Sequence, residues 1–276
     1  PAQSAIWDHL YAKHDLNQIV RHRALGGMVA LRRITKIKFS PFIGMAYRCL
    51  LDYRDAGRFD QDFTLHLLGM YLPYDRFEMA ILDGLFARYL EGEAQAVTTY
   101  DSINPLQSTR LAKDIPLFEF TGSGLSVYPN LIDAPAGILD HVYGDPKLIG
   151  FVQEEIARRR AGGNLVNASS FGPLNIYSHR EVNRFFKYVV AEYGLAEIFF
   201  QERSLTRING HFASVLDALE KASPVLFKDN LRTSIMRNVA ITYEFHRWFV
   251  DDRSRAGLEK LIQANIRKIR FPDDLR

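Results

Sequence analysis

Residues 178–194 read SHREVNRFFKYVVAEYG, and the rest of the chain is organised around this stretch. Ser178 followed three residues later by Glu181 has the form of a capping box, in which each side chain satisfies an orphan backbone N–H at a helix start. Val182, Phe185, Phe186, Val189, Val190 and Tyr193 recur at the 3–4 spacing of one helical face, and Gly194 supplies a stop. The pattern predicts an amphipathic helix opening at Ser178. Upstream lies a polar, glycine-bearing approach, NLVNASSFGPLNIY (164–177), in which a short strand is expected. Downstream, LAEIFFQERSLTRINGHFASVLDAL (195–219) sets Glu202, Arg203, Arg207, Asn209 and His211 among apolar residues. A short helix is expected there over Phe212–Leu219, ending before Pro224.

Toward the C-terminus, Asn230–Phe249 is apolar on one side, and Ser254 is placed to cap a last helix carrying Leu258, Leu261, Ile262 and Ile266. Toward the N-terminus, Asp145-Pro146 is a cap followed by proline in the first turn. That helix ends in Arg158-Arg159-Arg160, cations suited to the negative end of its dipole. Between 93 and 140 the texture changes. Strands are expected at 96–100 and at Leu117–Thr121 and Leu125–Ile132, around a Gly122-Ser123-Gly124 turn, with Pro129 marking an edge.

From Asp60 to Leu90 two helices are expected, parted at Pro73. Ser40-Pro41 opens a helix that stops near Gly57, MVALRRITKIKF (28–39) alternates as a strand, and 4–25 reads as a helix closed by Gly26-Gly27. The expected fold is helix-rich α+β, a small mixed sheet covered by amphipathic helices, with strands drawn from 28–37, 96–100, 117–132 and 164–177. With no repeat and no low-complexity linker, one compact domain over 1–276 is the simplest organisation. It divides into a helical part (1–92), a strand- and loop-rich middle (93–140) and a helical part (141–276).

The chain has 276 residues, 47% hydrophobic and 24% charged, a composition able to bury a sizeable core. No apolar run approaches the ~18–20 residues of a membrane span. Asp8, His9, Lys13 and His14 stand where a signal peptide needs an apolar core, although a leader before Pro1 stays open. A single cysteine, Cys49, excludes an internal disulfide and a cysteine-rich metal site, and a cytoplasmic setting is expected.

The formal charge of +3 hides an asymmetry. No acidic residue falls between Asp15 and Asp52, whereas Arg21, Arg23, Arg32, Arg33, Lys36, Lys38 and Arg48 all do. A basic block over 21–48 suits an anionic partner, or is a solvated face balanced by acids elsewhere in the fold. Phe39, Phe42 and Tyr47 could stack on bases there, or form the buried side of the same segment.

Several chemistries fail on the residues. There is no phosphate-binding G-x-x-x-x-G-K-[ST], no G-x-G-x-x-G, no H-E-x-x-H and no G-x-S-x-G. His66 and Asp83 lie in core-helix patterning and attract no chemistry. What remains is the pair of polar segments flanking the central helix: Asn164, Asn167, Ser169 and Ser170 before it, and Glu202 to His211 after it. Arginine offers a charged fork and asparagine both donor and acceptor, which suits phosphate and sugar hydroxyls. The order of polar loop, short strand, Ser-capped aromatic helix and Glu-Arg segment ending in His is loosely similar to the acceptor-side half of some nucleotide-sugar glycosyltransferases, over about fifty residues. The similarity departs at the metal motif, for which Tyr100-Asp101-Ser102 at a strand end is the nearest substitute.

Two functions follow as expectations. One is an enzyme acting on a phosphorylated or nucleotide-linked substrate, glycosyl transfer included. Arg203, Arg207, Asn167, Asn209, Arg32 and Arg33 would hold the anionic substrate, Glu202 or His211 would act as acid or base, and Asp101 or Asp133 would hold a hydroxyl or a divalent metal. The other is a non-catalytic helical interaction protein that docks through 21–48 on a protein, a nucleic acid or an anionic membrane surface.

Overall fold

Alternation at residues 63–67 decides the first sheet. Phe63, Leu65 and Leu67 are buried while Thr64 and His66 are partly exposed, the period-2 pattern of a strand with one covered face. The computed structural model describes residues 22–25, 42–68, 73–101, 115–163, 168–227 and 231–268. Its architecture is helix-rich α+β, and its strands fall into two small sheets, one parallel and one antiparallel. The chain divides into two compact units, the first comprising Pro1–Asp101, Val190–Leu216 and Asn230–Arg276, the second Ser102–Val189 and Asp217–Asp229.

In the first unit, β1 (His22–Leu25), α1 (Ile43–Asp55), β2 (Phe63–Leu68), α2 (Pro73–Ala87) and β3 (Ala96–Asp101) follow in order. The strands pair β1-β2-β3, both pairings parallel, with His22 opposite Thr64 and Phe63 opposite Ala96. Each parallel step needs a crossover, and α1 and α2 supply them. Tyr53 meets Phe63 edge-on at 5.3 Å, Phe63 meets Phe86 at 5.5 Å and Tyr47 meets Phe86 at 5.1 Å, so both helices pack on the apolar side of β2. Later in the chain come α6 (Ile198–Gln201), α7 (Leu205–Ala222), α8 (Leu231–Asp251) and α9 (Arg255–Lys268). Phe245 and Phe249 of α8 each lie 5.9 Å from the Tyr47 ring and complete this core.

Gly84 lets α2 approach the 194–197 turn. A Cβ built there would stand 2.7 Å from the Ala196 methyl, which has no flexible end to move aside. Gly84→Val is therefore expected to cost about 1–3 kcal/mol, read as a lowered urea midpoint. An unchanged midpoint would mean that the approach is looser than this.

The second unit opens with a hairpin, β4 (Leu117–Phe120) and β5 (Leu125–Tyr128), turning at Gly122 with φ of +95°. A 3-10 turn (Leu131–Asp133), α3 (Ala136–Tyr143) and α4 (Pro146–Arg160) follow. Leu117, Leu131, Ile138, Leu139, Val152, Ile156, Phe171 and Leu174 form its core. The Asp145 carboxylate caps α4 by accepting from the Lys147 N–H at 2.9 Å. The three arginines at its end are engaged locally, by Glu155, the Gly163 carbonyl and the Ile132 carbonyl.

The organising helix, α5 (Gly172–Glu192), starts six residues before Ser178, with Pro173 in the first turn where a missing N–H is harmless. Ser178 and Glu181 are buried inside it and cap nothing of their own helix. Ser178 Oγ accepts from the Phe118 N–H at 2.9 Å and Glu181 Oε2 from the Phe120 N–H at 3.2 Å, so the pair closes the outer edge of β4. The Asp83 carboxylate on α2 closes the edge of β3 in the same way, accepting from the Thr98 N–H at 2.6 Å. Strand edges left bare are templates for unwanted pairing, and here helix side chains occupy them.

Four expectations are corrected. The strand expected in 164–177 is a 3-10 turn at Ala168–Phe171 followed by the first turns of α5, and Asn164–Asn167 lie outside the described residues. The helix expected after Asp60 is β2, because the apolar run there alternates at two rather than at 3.6. The helix expected over 4–25 is a strand at His22–Leu25, and its remainder lies outside the described residues, as do the strand expected at 28–37 and the Ser40-Pro41 start. The helix expected over Phe212–Leu219 begins earlier, at Leu205, where Ser204 Oγ accepts from the Arg207 N–H at 3.5 Å. The strands at Ala96–Asp101 and Leu117–Phe120 and the helices at Pro146–Arg160, Leu231–Asp251 and Arg255–Lys268 stand close to where the sequence predicts them, whereas of the strand expected over 125–132 only Leu125–Tyr128 is one and Leu131–Asp133 is a 3-10 turn.

Candidate functional site

Parallel strands end together, and their carboxyl ends are where open α/β sheets place ligands. In the first unit Leu25 lies beside Leu67, and Leu68 beside Asp101. Gly26-Gly27 follow β1 directly in sequence, and β3 ends on Asp101, one of the predicted site residues. On the less covered face of the sheet, His66 Nδ1 lies 2.8 Å from Thr99 Oγ1 across the β2–β3 pair.

The 202–211 segment, also in the first unit, is brought together in part. Glu202 ends α6, and Arg207 Nη1 reaches its Oε1 at 3.4 Å. The Arg207 side chain is 74% exposed, so this pair is worth little in stability and leaves the guanidinium accessible. Arg203 is exposed, and its carbonyl accepts from the Tyr243 hydroxyl. His211 Nε2 donates to the Tyr193 carbonyl at 2.9 Å, which leaves Nδ1 as the acceptor nitrogen. Asn209 Oδ1 is enclosed and has no hydrogen-bond partner among the described residues.

Asp133 belongs to the second unit. Its Oδ2 accepts from Asn130 Nδ2 at 2.9 Å, and Arg160 Nη2 lies 3.7 Å from its Oδ1. A cation bound there would share the carboxylate with that guanidinium. Among the described residues no three His, Cys, Asp or Glu side chains are grouped to hold a metal. Asn167, Arg32 and Arg33 lie outside the described residues. Within the basic block Phe42 and Tyr47 are fully buried, which removes them from any stacking surface. Among the described residues no helix is long and apolar enough to cross a membrane.

A buried polar cluster in the first unit escaped the sequence. Asp75, Arg76 and Glu78 of α2 are all buried, and Thr242 Oγ1 of α8 donates to Glu78 Oε1 at 2.5 Å. Burial, with the negative Asp75 adding to it, pushes the Glu78 carboxyl up to about 8, against the opposing Thr242 hydrogen bond. Nearby, the Tyr89 hydroxyl lies 2.6 Å from His246 Nδ1, and the imidazole packs against Phe199 and Phe200. Burial holds His246 down at about 4, so it is a neutral acceptor for Tyr89. The signal in the sequence was an acidic run, Tyr-Asp-Arg-Phe-Glu at 74–78, inside an otherwise apolar helical pattern.

In comparisons with known proteins, no family model, no curated protein and no solved structure matches the chain.

Proposed function

We propose that this protein is an enzyme acting on a phosphorylated or nucleotide-linked substrate, with glycosyl transfer as the reaction class. The observation that carries the reading is the three-stranded parallel sheet, whose first strand runs in sequence into Gly26-Gly27 and whose third ends on Asp101. Glycines after a first strand allow close approach of backbone N–H groups to phosphate, and an acid at a neighbouring strand end accepts from sugar hydroxyls. In this reading Arg203 and Arg207 hold phosphate, Asn209 serves hydroxyls, and Glu202 or His211 moves the proton. Arg32 and Arg33 steer the anion.

Calorimetric titration of the whole chain with nucleoside diphosphates and nucleotide sugars tests it. The expected result is saturable binding that weakens about ten-fold or more in Asp101→Asn and in the pair Arg203→Ala with Arg207→Ala. Unaltered binding in both variants, or none in the native protein, would sink the reading. Salt-sensitive binding of an oligonucleotide that is lost when Arg32 and Arg33 are reversed to Glu would favour a non-catalytic interaction protein docking through 21–48.

A further inference from the structure

In the second unit the exposed side of α5, with neighbouring residues of β4 and α3, brings cations and aromatic rings together. Arg180 and Arg184 are one helical turn apart, and their side chains are 58% and 57% exposed. The Arg180 guanidinium lies over the Tyr177 ring at 5.5 Å, and that of Arg184 over the Phe120 ring at 5.5 Å. Tyr188 continues the row, 5.6 Å from Phe120, and exposed His141 begins it, 5.6 Å from Tyr177 and 3.3 Å from Arg180 Nη2. Beneath the row lies Glu181, 1% exposed, which meets Arg180 Nε at 3.4 Å and Arg184 Nη1 at 3.1 Å. The other bordering carboxylate, Glu119, is engaged by the Tyr128 hydroxyl at 2.9 Å.

We infer that this row binds single-stranded nucleic acid. Each guanidinium is held by a ring on one face and by a buried carboxylate at one edge, so its orientation is fixed before any ligand arrives. The other face and the N–H groups turned neither to Glu181 nor to His141 stay in water. A planar cation with one free face stacks a base, and its free N–H groups meet phosphate. Residues one turn apart stand about 5–6 Å from each other at Cβ. That exceeds the roughly 3.4 Å rise per residue of a strand within a duplex, so the row fits a stretched, unstacked strand. An acidic peptide fits less well, because it would use the N–H groups but leave the exposed ring and guanidinium faces without a stacking partner. None of these residues belongs to the proposed catalytic site.

Fluorescence anisotropy with a labelled oligo-dT and an oligo-U tests it on the full chain. Saturable binding is expected, about ten-fold or more weaker in Arg180→Gln with Arg184→Gln. The salt slope should fall by about 1.4, the value for two lost phosphate contacts on a single strand. A control pair, Lys221→Gln with Arg237→Gln, removes the same charge from other exposed positions and should leave affinity unchanged. Arg180→Lys with Arg184→Lys keeps the charge and the partnership with Glu181 but removes the planar faces; an intermediate loss with an unchanged melting temperature is expected. No saturable binding, equal loss in the control pair, equal affinity for duplex, or full affinity in the lysine pair would each overturn the inference. So would binding that disappears with Arg32→Glu and Arg33→Glu but survives the glutamine pair.

Discussion

Glu181→Ala is expected to destabilise the protein by about 2–4 kcal/mol, far more than removal of either arginine that touches it. Three interactions meet on this carboxylate, and their magnitudes differ. Arg180 and Arg184 are more than half exposed, so without Glu181 both guanidiniums return to water at little cost. The Phe120 N–H cannot do so, since it points from the outer edge of β4 into the covered space where Glu181 is 1% exposed. An orphaned backbone donor and the cavity left by the side chain together set the figure. Arg184→Ala should therefore cost under about 1 kcal/mol, and Glu181→Gln, which keeps an acceptor, should fall between the two. Chemical denaturation of the three variants decides the matter: equal losses in Glu181→Ala and Arg184→Ala would assign the role of Glu181 to the ion pairs instead.

The second large effect is a loss of stability on the alkaline side that Glu78→Gln removes. Glu78 is held protonated to about 8 in the folded chain, whereas an unfolded carboxyl titrates near 4.5. Between those values the native state keeps a proton that the unfolded state has released. Stability from this group is therefore complete below about 4.5 and is lost progressively as the pH rises toward 8. His246 acts in the opposite sense. Its folded value of about 4 lies below the usual 6.5, so its contribution is present above 6.5 and is lost as the pH falls toward 4. Over the shared window the two slopes oppose each other, which leaves Glu78 alone to act above 6.5. Unfolding free energies from urea titrations at pH 6 and pH 9 should differ by on the order of a few kcal/mol in the native chain and by much less in Glu78→Gln, whose amide still accepts from Thr242. An undiminished difference in the variant would show that the proton resides elsewhere.

Much of the helical architecture was legible because its signals are local. The Asp145-Pro146 start, the Ser254 cap and the glycine turn of the hairpin each depend on residues within four positions of one another. What misled is non-local. Ser178 and Glu181 have the spacing of a capping box and do accept backbone N–H bonds, but the donors are sixty positions away in β4. Spacing reveals that acceptors are present, and only the fold reveals whom they serve. β2 was misread for a related reason, since FTLHL alternates over too few residues to outweigh the apolar stretch that continues it. Of the candidate site, the contact between Glu202 and Arg207 follows from a short loop, and the placement of Asp101 at a strand end follows from the β3 pattern. The buried Glu78 was invisible because a carboxylate on an apolar helix face ordinarily signals solvent, and its partner Thr242 arrives from 164 positions further along.

The two sheets also differ in when they can form. β4 and β5 pair residues between five and eleven positions apart, so the hairpin closes as soon as its own turn does. Every pair between β1 and β2 joins residues forty-two positions apart, and every pair between β2 and β3 joins residues thirty-three apart. Each of those pairings must close a long loop before any contact rewards it. The strand end that carries Asp101 thus closes a longer loop than the hairpin does, and the parallel sheet is complete only when both crossovers are in place.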